Sequence, residues 1–188
     1  MIIERVETLR ILDFDIENRP IAYLGPEYTT AEITAIAACF VGEPSSMKVW
    51  LLGRDSPVMM LAEFVEMYNK ADIVTGHYIR EHDLPVINGA LMEYSLPPLD
   101  QKMTSDTKID LVRAKYLSKS LENLATMLGL PRGKVHMNNA EWREANRLTP
   151  EGLRLTELRA KSDVLLHMRI RKILIARGLL GSAKVWRP

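Results

Sequence analysis

Residues 9–17, LRILDFDIE, place three acids at alternate positions inside an apolar run. An extended strand sends side chains two apart to the same face. Asp13, Asp15 and Glu17 therefore share one face, and Leu12, Phe14 and Ile16 share the other. A packed sheet gains nothing from a stack of three carboxylates, because like charges repel and an unpartnered buried charge is costly. A divalent cation resolves the conflict, since hard cations take carboxylate oxygens. A strand end at which the acids are simply solvated resolves it as well, and the strand alone does not choose.

The rest of the chain bounds the answer. Its 188 residues suffice for one domain, 1–188, with a full core. A hydrophobic content of 47% and a charged content of 26% are those of a soluble globular protein. No apolar stretch approaches the roughly 18 residues that a membrane span needs. The start, MIIERVETLR, carries acids early and has no apolar signal core, so a cytoplasmic location is expected. The one cysteine, Cys39, lies in the apolar run ITAIAACFV and reads as a buried small hydrophobe.

A net charge of +1 conceals an asymmetry. Residues 1–100 hold 7 Lys+Arg against 16 Asp+Glu, a net of −9, and residues 101–188 hold 18 against 8, a net of +10. Such a division suits metal ligands in one place and a polyanion track in another. Halves that interleave in space and cancel would carry the same count.

Three strand patterns come first, at 9–17, 32–41 and 47–53, separated by turn formers such as 42–46 (GEPSS), and they suggest an antiparallel meander. A helical pattern follows at 58–69, then a fourth strand at 71–77 and a helix at 84–94 stopped by Pro97-Pro98. The segment 107–112, TKIDLV, reads as a fifth strand. Ser120 caps a helix that Gly129 closes, and a short helix surrounds Trp142 at 139–146. A long helix runs over about 149–177, with Thr149 as its cap before Pro150. The order predicts an α/β fold: a mixed five-stranded sheet flanked by helices.

Two further acids stand out. Asp163 falls on the apolar face of the last helix with Ala160, Leu166, Ile170 and Leu174, where a carboxylate needs a partner. That partner is a cation, or Arg159 one turn earlier. Asp83 opens the helix after the fourth strand, where an Asp ordinarily caps.

Taken in order, these pieces resemble the DEDD superfamily of 3′–5′ exonucleases, the DnaQ-like branch of the ribonuclease H-like fold. ILDFDIE, with Asp15 and Glu17, matches the first motif, an apolar strand ending in Asp-x-Glu. VTGHYIREHDLPVI resembles the second, with Asp83 at the Asp position. SLENLATMLGL is similar to the family's Ser-Leu-x-x-(Leu/Val)-Ala-x-x-Leu-Gly segment, and SDVLLHMRI, with Asp163, resembles the third motif. The resemblance covers nearly the whole chain. It implies that Asp15, Glu17, Asp83 and Asp163 hold two Mg²⁺ or Mn²⁺ ions and hydrolyse a terminal phosphodiester to a nucleoside 5′-monophosphate. DNA is the implied substrate, single-stranded DNA foremost, with RNA as the alternative. A DNA polymerase is the implied partner for proofreading, and the chain is otherwise a standalone enzyme.

The chain departs from the family at three places. Tyr78 stands where the second motif usually has Asn, and His82 where an aromatic precedes the Asp. Both are expected to touch substrate. The family also places a Tyr four residues before the last Asp, or a His five before it, to handle the attacking water. Arg159 and Leu158 occupy those positions, and Arg does not deprotonate in proteins. Arg159 is instead expected to contact the scissile phosphate. His167, one turn after Asp163, is a candidate base, and so is His136 in the preceding loop. Trp142 is a candidate for base stacking or for the core. Asp13, where an apolar residue is usual, reads as an exposed strand-edge acid in preference to a support for a metal. A catalytically weakened relative that binds nucleic acid or a polymerase, and an unrelated α/β protein with structural acids, are the competing readings.

Overall fold

Alternation builds the central strand. β1 (Ile11–Pro20) buries Leu12, Phe14 and Ile16 on one face and turns its acids to the other. The computed structural model describes residues 9–20, 31–131 and 134–188, and β1 is an inner strand of its sheet. β2 (Ala31–Phe40) lies antiparallel to β1, and β3 (Lys48–Leu51) lies antiparallel to β2, which is the expected meander. β4 (Ile73–Gly76) runs parallel to β1 on its other side, and β5 (Lys102–Asp106) runs parallel to β4. β6 (Lys184–Trp186) closes that edge antiparallel to β5, giving the order β3-β2-β1-β4-β5-β6. Among the described residues the sheet is mixed and has six strands, one more than the sequence suggests.

The fifth strand is also displaced. Residues 107–112 are not a strand beyond an isolated bridge at Leu111. The Asp106 carboxylate accepts the N–H groups of Lys108 and Ile109 at 2.9 and 3.1 Å, and Asp110 accepts the Asp106 N–H at 2.9 Å. These side-chain bonds offer the backbone an alternative to a ladder and fold it into a turn. The strand is the preceding KMTSD. Its Thr104 and Ser105 are buried, with Thr104 Oγ1 donating to the Lys184 carbonyl and Thr75 Oγ1 donating to the Ser105 carbonyl.

Helices cover both faces. On the apolar face of β1, α1 (Pro57–Asn69) and α2 (Asp83–Glu93) enclose the main core, where the Phe14 and Phe64 rings sit 5.1 Å apart between centroids. Gly76 ends β4 so close to β1 that a Cβ there would strike Ile79 and the Phe14 carbonyl. The second half contributes α3 (Leu121–Met127), α4 (Asn139–Asn146) and α5 (Pro150–Ala176). Their ends follow local chemistry. Ser120 Oγ accepts the Asn123 N–H, Asn138 and Glu141 form a capping box, and Thr149 Oγ1 accepts the Gly152 N–H at 3.1 Å. Gly152 has no Cβ, and one would collide with the Glu144 carbonyl, so α4 and α5 meet there.

The placement of α5 positions the site. Its Ala160 and Val164 pack against Ala35, Ala37, Cys39 and Leu51 on the sheet face that carries the acids. Across the β1–β2 ladder, Asp13 faces Cys39, Asp15 faces Ala37 and Glu17 faces Ala35. Each acid therefore has a small neighbour, and α5 can approach. The pairing register shifts between Glu17 and Asn18, and such an irregularity can re-aim the residues beside it.

Candidate metal centre

β1 supplies Asp15 and Glu17, and α5 supplies Asp163; one carboxylate oxygen from each lies within 4.8 Å of the others. The first residue of α2, Asp83, lines the same open cleft together with His77, Tyr78, His82, Lys134 and Arg159. Asp83 stands outside the tight group, and its oxygens are engaged elsewhere. Oδ1 accepts the Ile16 N–H at 3.2 Å, and Oδ2 lies 3.2 Å from His82 Nδ1. Its carboxylate thus reaches across to β1.

Burial sets the electrostatics. Asp15 is held well above its ordinary value of 3.8 by burial, with Asp83, Glu17 and Asp163 adding repulsion. Asp83 is raised by burial against the opposing influence of His82. Glu17 is raised by burial although Arg159 opposes it, and Asp163 is raised by burial although Lys134 and Arg159 oppose it. Arg159 Nε donates to Glu17 Oε1 at 2.5 Å, Arg159 Nη2 lies 3.7 Å from Asp163 Oδ2, and Lys134 Nζ lies 3.5 Å from that same oxygen. Asp163 Oδ1 is buried and has no hydrogen-bond partner among the described residues.

This donor set fits a hard divalent cation. Four carboxylates face two Lys/Arg cations across the cleft, which leaves two negative charges over. All the candidate ligands are oxygens, the preference of Mg²⁺ and Mn²⁺. The orphaned Asp163 oxygen is an acceptor that a cation would satisfy.

The other candidates divide between the cleft and its surroundings. His82 and Tyr78 line the cleft. Tyr78 is held left-handed at φ 75, its N–H donates to Asp106 Oδ1 at 3.0 Å, and Lys108 Nζ lies 3.7 Å from its ring centroid. Arg159 is steadied by the Val135 carbonyl at 2.9 Å and by the Trp142 ring, 5.0 Å from the guanidinium carbon. Trp142 is thus engaged with an arginine at the cleft. Leu158 is exposed on α5.

His167 does not line the cleft. It is buried, with Nδ1 2.7 and 2.8 Å from the two Asp13 oxygens and Nε2 2.9 Å from Thr107 Oγ1. Both ring nitrogens are therefore committed. Asp13 is corrected in consequence: it is fully buried instead of being an exposed edge acid, because α5 lies over it and brings a partner. His136 pairs with Glu122 at 3.3 Å. Lys134 and His77 escape sequence reasoning, since a loop lysine and a histidine after a strand carry no periodic signal. His77 bonds the same Thr107 hydroxyl at 3.0 Å, and burial lowers its pKa to about 4.

No protein-family model matches the chain, and no curated protein matches it by sequence. Among solved structures it is similar to the family B DNA polymerase from the hyperthermophilic archaeon Pyrobaculum calidifontis, at 16% identity and a TM-score of 0.66. The match covers 89% of this chain but 25% of that one, so the chain spans about a quarter of the polymerase's length. The likeness establishes the fold, a mixed α/β sheet flanked by helices and consistent with the ribonuclease H-like class. No helix among the described residues is long and apolar enough to cross a membrane.

Proposed function

We propose that this chain is a metal-dependent 3′–5′ exonuclease domain spanning 1–188. In this reading it works in the cytoplasm on single-stranded DNA, with RNA as the alternative, and releases nucleoside 5′-monophosphates. The observation that carries the reading is the convergence of Asp15, Glu17 and Asp163 within 4.8 Å in a cleft that Asp83 also lines. These four acids would hold two Mg²⁺ or Mn²⁺ ions, whose chemistry when bound is to acidify water and to neutralise charge developing on the phosphodiester.

The chain's own residues do the remainder. Arg159 lies between Glu17 and Asp163, and its fork suits a phosphate oxygen once Glu17 has another cation to bind. Tyr78 and His82 rim the cleft, where a terminal nucleotide would sit. The fold neighbour is a DNA polymerase, which supports association with a polymerase in proofreading.

A second reading, a catalytically weakened relative that binds nucleic acid or a polymerase, is favoured by one observation. Arg159, at the position of the family's tyrosine, donates directly to Glu17, so a fixed cation occupies part of the acidic cluster. Digestion of a 5′-labelled single-stranded DNA oligonucleotide with Mg²⁺, Mn²⁺ or EDTA, beside Asp15→Ala, separates the two. A metal-dependent ladder that shrinks from the 3′ end and is lost in the variant supports the exonuclease. No cleavage with either metal, on DNA or RNA, favours the binding protein.

A further inference from the structure

After β5 the chain crosses open surface beside the cleft before α3 begins. From Lys108 to Lys119 it reads KIDLVRAKYLSK, with Lys108, Arg113, Lys115 and Lys119 as its cations. Its one acid, Asp110, is buried and bonded to Arg80. None of the four cations forms a salt bridge among the described residues. At the centre of the segment stands Tyr116, fully exposed at 105% and left-handed at φ 59. A bulky residue seldom adopts that backbone. A ring wholly in water also adds no burial to the fold, so the core does not account for this Tyr.

The segment is tied to the cleft at its first residue and its two ends are held together. Lys119 Nζ donates to the Lys108 carbonyl at 3.5 Å, and Lys108 Nζ sits over the ring of Tyr78, a cleft residue. A polyanion leaving the acidic cluster along this side would meet positive charge and an exposed ring.

We propose that this segment is a landing platform for the single-stranded nucleic acid whose end enters the cleft: Tyr116 stacks on a base while Arg113, Lys115 and Lys119 neutralise the flanking phosphates. The proposal rests on the exonuclease reading and deepens it by giving the strand beyond the cleft a place to bind. Bases in a duplex are stacked on one another, whereas an aromatic ring on a surface loop takes an unstacked base. Cations interleaved with an aromatic are the pattern of single-strand binders. Protein interfaces are depleted in lysine, and here Lys115 is the chain neighbour of the exposed aromatic.

The test has two arms. Binding is read by fluorescence anisotropy of fluorescein-labelled oligothymidylate in EDTA, for the full chain and for Tyr116→Ala, Tyr116→Phe, Arg113→Ala and Lys115→Ala. Hydrolysis of thymidine 5′-(p-nitrophenyl) phosphate, which needs the cleft alone, is followed with Mn²⁺. Tyr116→Ala should weaken oligonucleotide binding about tenfold while Tyr116→Phe keeps it, as stacking requires. Each cation variant should lower the slope of log affinity against log salt by about 0.7. All four variants should hydrolyse the small diester as the parent does. Unchanged affinity and salt slope beside intact diester hydrolysis would overturn the platform and leave the exonuclease standing, with a protein partner as the next occupant to test. Tyr116-dependent binding in a parent that cleaves nothing would keep the platform and overturn the exonuclease.

Discussion

Arg159 Nε on α5 donates to Glu17 Oε1 on β1 across 2.5 Å. Its Nη1 is held by the Val135 carbonyl, and Trp142 lies against its guanidinium, so the side chain is braced from three directions. Both partners are largely shielded, with 14% of each side chain exposed. Here a fixed positive charge stands inside the acidic cluster.

That charge competes with any divalent cation for Glu17. Arg159→Gln should therefore tighten Mn²⁺ binding about tenfold, equivalent to about 1.4 kcal/mol, as read by isothermal titration calorimetry. Turnover on oligonucleotides should fall in the same variant, because the proposed phosphate contact is lost. An unchanged Mn²⁺ affinity would show that the pair opens without cost.

The metal-free cluster should also oppose folding. The folded-state pKa of Asp15 lies above its ordinary 3.8, so between 3.8 and that raised value the native state holds more protons than the unfolded chain. Stability therefore falls as pH rises through that window, and the cost is complete above it. Asp15→Asn removes the repulsion. It should raise the melting temperature of the metal-free protein at pH 7 by about 2–4 °C, the shift expected for about 1 kcal/mol in a domain of this size. Mg²⁺ should stabilise the parent through mass action and stabilise the variant far less. Differential scanning calorimetry with EDTA and with Mg²⁺ checks both outcomes, and an Asp15→Asn protein that melts lower without metal would contradict the argument.

What could be read in the sequence was what repeats. The β1 acids declare their shared face through a period of two, and Asp163 declares its inward face through a helical period. Asp83 has no such period; its place at a helix start reads as an ordinary cap, and the resemblance alone gave it a metal role. β5 went unseen because its interior residues, Thr104 and Ser105, are polar and depend on hydrogen bonds to partners far along the chain. β6 is three residues long, too short for any period to show. Lys134 comes from a loop, and its position beside Asp163 depends on how the chain enters α4 and α5. The Asp13–His167 pair joins residues 154 apart, a contact that only the docking of α5 creates.

That pair makes its own prediction. Asp13 is fully buried, burial raises its pKa, and His167 is its hydrogen-bonding counterpart. Removing one member strands the other in the core. His167→Leu should cost about 3–5 kcal/mol, the usual penalty for breaking a buried pair. The double variant Asp13→Leu/His167→Leu should recover a good part of that loss. Urea denaturation of the four proteins in a double-mutant cycle gives the coupling directly, and additive losses would show that the two side chains act independently.

Tyr78 separates positioning from chemistry. Its left-handed backbone at φ 75 is fixed by the N–H bond to Asp106, and the Lys108 ammonium lies over its ring. Asn tolerates that conformation better than a bulky residue, which favours Tyr78→Asn by about 1 kcal/mol. Loss of the Lys108 contact offsets about 0.5–1 kcal/mol of it. The melting temperature should thus move little. If Tyr78 meets the terminal nucleotide at the rim, Tyr78→Asn should raise KM for oligonucleotides several-fold and leave kcat within about twofold, the signature of lost uniform binding. Steady-state kinetics on a single-stranded substrate decide it. A fall in kcat equal to the fall in kcat/KM would mean that Tyr78 bears on the transition state, and the rim assignment would be wrong.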